Sequence, residues 1–243
     1  MKLEELLLQC GVKNSHLAVV HCGMELENPR TLLDELVEFF DQGILVMPAG
    51  ERSWEPDAVF DPERSCSGYG AVSELFRTMK NCVRSAHPSG SLAAMGKGAE
   101  QLLAGHEKCI SPYAPSSPWW RIFQYGGKII LIGCGLEECA FFAALEEWAG
   151  CAVLSRRFRR RRLALGNGHK KRMRIKLHTG KHFLKYPKAE KLLRNKGILA
   201  ETVSGYGMLT VIDLREAGEL LLALLKQKPR FFAGGRRSVR LKN

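Results

Sequence analysis

Residues 17–48 read LAVVHCGMELENPRTLLDELVEFFDQGILVMP, and this stretch decides the fold. Leu17 to Val20 is a short, unbroken apolar run, the pattern of a strand buried on both faces. It ends in His21-Cys22-Gly23, which places those residues at the strand's carboxyl edge. Over 30–40 the apolar residues Leu32, Leu33, Leu36, Val37, Phe39 and Phe40 alternate with acids at helical spacing, and Gly43 stops the helix. Ile44 to Met47 is a second buried strand, closed by Pro48. Strand, helix and strand in so short a span predict parallel strands joined by a crossover helix.

The same reading extends outward. Lys128 to Ile132 predicts a third buried strand, ending at Gly133-Cys134-Gly135, with a helix over 140–149. Residues 2–9 read as an amphipathic helix, and Gly70 to Met79 and Gly96 to Leu103 as further helices. Residues 49–68 and 105–118 read as long loops. Beyond 151, Val153 to Leu165 and Lys171 to Leu177 flank Gly166-Asn167-Gly168, a hairpin signal. Met173, Ile175 and Leu177 alternate there with Arg172, Arg174 and Lys176, so one face is apolar and the other basic. Helical spacing returns over 187–197. One or two short strands are expected within 203–211, and Asp213 is suited to cap a closing helix through Leu225. The tail from Gly234 reads as frayed. The expected architecture is α/β: a three-layer α/β/α domain over 1–243, with a mostly parallel central sheet and a basic β-hairpin in the C-terminal half.

Composition narrows the function classes. The chain has 243 residues and a net charge of +12, unevenly distributed. Residues 1–150 hold 12 Lys and Arg against 20 Asp and Glu, a net of −8, while the remainder holds 25 against 5, a net of +20. An anionic partner for the second half is one implication. Arg156 to Arg162 contains six arginines around Phe158. It reads either as a solvated face balancing the acidic half or as a strip for a phosphorylated cofactor or nucleic acid. Nucleic acid is not the expected main partner, because no nucleic-acid module accompanies the charge. The eight cysteines form no C-x-x-C pair and no zinc-spaced cluster, so no metal is expected. With no signal peptide and no membrane-spanning run, free thiols in the cytoplasm are the expectation.

A second stretch carries the chemistry: Arg84-Ser85-Ala86-His87-Pro88-Ser89-Gly90-Ser91. A guanidinium, hydroxyls, an imidazole and a Ser-Gly-Ser turn in eight residues can present several donors to an anion. The run closely resembles the R-S-x-H-P-x-x-S signature of the aminoglycoside 3-N-acetyltransferase family. The resemblance continues in order over 17–147. It takes in Val20-His21-Cys22-Gly23, Gly43 to Pro48, Phe60-Asp61-Pro62, Gly70 to Arg77, Ser117 to Ile122 and Gly127 to Gly135. It implies transfer of an acetyl group from acetyl-CoA to a small amine, and with it antibiotic resistance. By resemblance, Arg84, Ser85, His87 and Ser91 line the CoA groove together with the Cys22-Gly23 turn. The family also carries an H-x-x-E pair at a helix start, where the His serves as general base or orients the amine. Here Ala143 stands at the His position and Glu146 at the Glu position. Glu146 and His21 are thus the remaining catalytic candidates, and a Cys22 thiolate beside His21 would be a nucleophile. Glu51, Glu55, Asp57, Asp61 and Glu63 are candidates for an acidic patch facing a cationic acceptor. Because alanine accepts no proton, the alternatives stay open: a weak acetyltransferase, an inactive member that binds CoA or another anion, and a nucleic-acid binder. The oligomeric state is not legible.

Overall fold

The computed structural model describes residues 1–51, 58–165, 168–179 and 182–233. The expected turn at Gly166-Asn167, the acids Glu55 and Asp57, and the tail from Gly234 lie outside these residues.

The founding stretch folds as predicted: β1 (Leu17–Cys22), α2 (Pro29–Phe39) and β2 (Ile44–Pro48) follow α1 (Leu3–Gln9). Strand β1 pairs in parallel with β2 on one side and with β6 (Lys128–Ile132) on the other. Unbroken apolar runs have no polar face to offer water, so these strands take the centre. The parallel part is narrower than expected, and the sheet is mixed. Strand β5 (Leu92–Met95) adds antiparallel to β2, and the two-residue β4 (Val83–Arg84) follows it. On the far side β10 (Gly207–Asp213) pairs antiparallel with β6, and β9 (Leu199–Ser204) pairs with β10. The order is β4-β5-β2-β1-β6-β10-β9.

Helices cover both faces, completing the three layers. Ala18, Val20, Leu45, Met47 and Ile130 point to one side and pack with α1, α2 and α3 (Ala71–Arg77). Leu17, Val19, Val46, Ile129 and Leu131 point to the other. There they meet α4 (Ala99–Leu103), α5 (Pro118–Tyr125), α6 (Ala140–Trp148), α7 (Glu190–Asn195) and α8 (Leu214–Gln227). The Asp213 carboxylate caps α8, accepting from the Glu216 N–H at 2.9 Å. Among the described residues no helix is long and apolar enough to cross a membrane.

The basic hairpin forms as expected. Strand β7 (Arg159–Ala164) pairs antiparallel with β8 (Lys170–Ile175), and β3 (Val59–Phe60) joins β7 in parallel. Its apolar face, Leu163, Met173 and Ile175, closes on Phe60 and on Ala86 of the signature run. The hairpin therefore sits against the loop that the sequence marks as functional.

Candidate active site

In a sheet of this order, ligands collect at the carboxyl ends of the parallel strands, where the chain leaves β1 to opposite sides. A small cleft lies there, lined by His21, Cys22, Pro48, Tyr69, Ser73 and Glu138. His21 is buried, and its Nε2 has no hydrogen-bond partner among the described residues. Burial lowers its pKa to about 4, so the imidazole is neutral near neutral pH and a weak proton acceptor. Burial raises the Cys22 thiol well above the ordinary range, with Cys134 adding to the effect. That keeps the sulfur protonated and does not support the nucleophile reading. Gly23 is required by packing. Its N–H donates to the Ile132 carbonyl at 2.9 Å, and a Cβ there would meet the Gly133 carbonyl oxygen at 2.5 Å. The close approach holds the ends of β1 and β6 together.

The signature run links β4 to β5 and wraps the chain leaving β2. The Ala49 N–H donates to the Ser91 carbonyl at 2.8 Å, and the Glu51 N–H to the Pro88 carbonyl at 2.9 Å. Arg84 is turned inward. It donates to the carbonyls of Ala49, Pro62 and Ser65 and to Ser91 Oγ, and it lies 4.9 Å over the Phe60 ring. Burial, helped by Arg77, lowers its pKa to about 10. Most of the guanidinium's donors are thus bound within the protein rather than offered to an anion. Ser85, His87 and Ser91 are buried as well. Ser85 Oγ accepts from the Leu92 N–H at 2.9 Å and bonds His106 Nδ1 at 2.8 Å, while His106 Nε2 bonds the Pro112 carbonyl at 3.0 Å. His87 stacks on His106 with centroids 4.7 Å apart. The run is a rigid wall fixed by its own side chains and packed on the chain leaving β2, and none of Arg84 to Ser91 lines the cleft itself.

Ala143 and Glu146 sit on α6. Glu146 is buried and accepts a hydrogen bond from the Tyr186 hydroxyl at 2.8 Å. Burial and then the Glu146 charge push the Tyr186 hydroxyl far up. Glu146 thus anchors a ring packed between Phe142 and Phe232. Half-buried Ala143 packs against the same core.

The sequence reading missed a neighbouring cluster. Glu147 Oε2 accepts from Ser111 Oγ and lies 2.8 Å from His178 Nε2, and the His178 ring meets Tyr113 edge-on at 4.9 Å. Tyr69 from the cleft and Glu147 both raise the Tyr113 pKa, after burial, so this cluster and the cleft are electrostatic neighbours. The one available signal was an isolated histidine just past the alternating strand, which belongs to no motif. Of the described acids in the expected patch, Glu51 pairs with Arg161, and Asp61 Oδ1 accepts from the N–H groups of Glu63 and Arg64. Among the described residues no His, Cys, Asp and Glu cluster suits a metal, and all eight cysteines are free.

Fold and site define the class: a three-layer α/β domain with a small cleft at the carboxyl edge of its parallel strands and a serine- and histidine-bearing loop packed on the chain that leaves β2. The chain belongs to the aminoglycoside 3-N-acetyltransferase family, whose profile matches residues 16–226. It is 26% identical over 178 residues to aminoglycoside N(3)-acetyltransferase IX of Micromonospora chalcea, covering 63% of this chain and 62% of that protein. To aminoglycoside N(3)-acetyltransferase IV of Salmonella sp it is 33% identical over 139 residues, 53% of this chain and 51% of the relative. These matches thus span half to three fifths of the curated relatives. The apoenzyme structure of aminoglycoside acetyltransferase AAC(3)-IVa superposes with a TM-score of 0.81 at 27% identity, covering 96% of this chain and 90% of that one. A histidine-to-alanine mutant of that enzyme, solved with a gentamicin, superposes equally well at 0.81 and 26% identity, covering 94% and 88%.

Proposed function

We propose that this protein is an acetyl-CoA-dependent N-acetyltransferase acting on a small polyamine of the aminoglycoside type, with residues 1–243 working as one unit. The observation that carries this reading is the unsatisfied Nε2 of buried His21, in a cleft at the carboxyl edge of the parallel strands, where open α/β sheets gather ligands. A buried polar atom without a partner costs about 1–3 kcal/mol, and a bound ligand would supply the missing bond. The donor would lie along His21-Cys22-Gly23 and the Arg84 to Ser91 wall. In this reading Arg84, Ser85 and Ser91 shape the wall, His87 backs it, and Glu146 fixes the helix layer through Tyr186. Eight free thiols suit a reducing cytoplasm.

Ala143 favours a second reading, a family member that binds the donor without turnover. Calorimetric titration of acetyl-CoA, paired with a thiol-release assay on a panel of aminoglycosides and simple polyamines, separates the two. Saturable donor binding that is lost in Arg84→Ala, together with acceptor-dependent CoA release, is expected. Binding without release from any amine would leave the second reading standing. Absence of binding would refute both.

A further inference from the structure

The described imidazoles differ sharply in what they can do. His21, His87 and His106 are buried, and all have lowered pKa values, with burial as the first cause. His16 stands just before β1, at the end opposite its carboxyl edge, and His169 is exposed on the hairpin just before β8. His178 alone is both partly accessible and held by a carboxylate. Its side chain is 20% exposed, and Nε2 lies 2.8 Å from Glu147 Oε2. An ionised carboxylate only accepts, so Nε2 carries the hydrogen and the neutral ring has its lone pair on Nδ1. No described residue hydrogen-bonds that nitrogen.

The surroundings fix the ring. Ser111 donates to the same Glu147 oxygen, and Tyr113 abuts the ring at 90°. The Tyr113 carbonyl is held by Trp148 Nε1 at 2.7 Å, and the Lys176 N–H ties the strand to the Ile110 carbonyl at 2.7 Å. Among the described residues, Glu147 and Tyr113 are the titratable groups in contact with His178. Glu147 also lies four residues past Ala143, one turn along the same face of α6.

We infer that His178 is the general base of the transfer reaction, with Glu147 and Ser111 as the residues that position it. The inference rests on the acetyltransferase reading. As the acceptor nitrogen attacks the thioester carbonyl, the N–C bond forms and the C–S bond breaks. His178 Nδ1 takes the proton released by the amine and passes it to the departing CoA sulfur, leaving the thiol and a neutral imidazole.

The test follows acetyl transfer from acetyl-CoA to an aminoglycoside across pH for the wild type, His178→Gln, His178→Ala and Glu147→Gln. Donor affinity is measured on each by calorimetry. His178→Gln should lose about 10²- to 10⁴-fold in kcat and lose the acidic limb of the rate profile, with donor affinity unchanged. Added imidazole should partly restore His178→Ala. Glu147→Gln should lose less and keep the limb. Wild-type rate and limb in His178→Gln would overturn this inference and leave the acetyltransferase reading intact. Donor binding with no turnover in the wild type would overturn both.

Discussion

The buried imidazoles show most directly what single residues contribute. His106 bonds Ser85 Oγ through Nδ1 and the Pro112 carbonyl through Nε2. The carbonyl requires an N–H at Nε2, so in the neutral ring Nδ1 accepts from the Ser85 hydroxyl. Burial lowers its pKa to about 3 and that of His21 to about 4. His87, stacked on His106, is also held well below the ordinary value, by burial first and by its neighbour second. In the unfolded chain all three titrate near about 6.5. Between these limits the unfolded chain binds more protons, so stability is complete above about 6.5 and is lost as the pH falls toward the folded values. From about pH 7 to about pH 5 the loss is about 2 kcal/mol each for His21 and His106. Together that is a large part of the roughly 5–15 kcal/mol that holds an ordinary domain folded. Urea unfolding should therefore show a much lower midpoint at the acid pH. Equal midpoints would mean that these rings are charged in the folded protein.

Elements depend on contacts that local sequence does not announce, and Gly218 in α8 is the sharpest case. Replacing an interior helical glycine with alanine ordinarily gains about 1 kcal/mol. Here a Cβ would lie 2.3 Å from Phe123 Cε2 and 3.2 Å from Phe141 Cζ. The Phe123 ring is itself packed against Trp120, Phe141 and Trp148, so it has little room to yield. Gly218→Ala should cost a net ~1–3 kcal/mol and lower the Tm by several degrees in calorimetry; an unchanged or raised Tm would show that the ring swings clear. The same logic separates what was legible from what was not. The parallel trio was legible because strands buried on both faces read as plain apolar runs. Leu92 to Met95 was hidden, because two alanines carry little strand preference and only pairing with β2 makes it β5. Helix α5 was concealed at the end of a proline-rich loop, although Ser117-Pro118 is a helix-start signature. At the site, the strand-end turn and the signature run were legible as motifs. Ser111, Glu147 and His178 were not, because their bonds join residues 36 and 31 positions apart.

Across the whole molecule, stability and charge are distributed unequally. Strands β1, β2 and β6 are covered on both faces, with Val19, Val46 and Ile130 fully buried. The β7–β8 hairpin rests on a four-residue core of Phe60, Leu163, Met173 and Ile175. Its outer face sets Arg160 opposite Arg174 and Arg162 opposite Arg172, and like charges across a strand pair are destabilising. Opposing this are the Glu51–Arg161 pair and the Glu147–His178 contact, both largely buried. Exposed charges are screened strongly by salt and buried pairs much less. Added salt should therefore relieve the repulsion while leaving the anchors in place. In hydrogen–deuterium exchange the amides of β1 and β6 should exchange last and those of β7–β8 early. Protection of the hairpin alone should rise between about 0.05 and 0.5 M salt. A fall in hairpin protection with salt would mean that ion pairs, not packing, hold it to the signature loop. Exchange as slow as that of β1 would mean that the hairpin unfolds only with the whole protein.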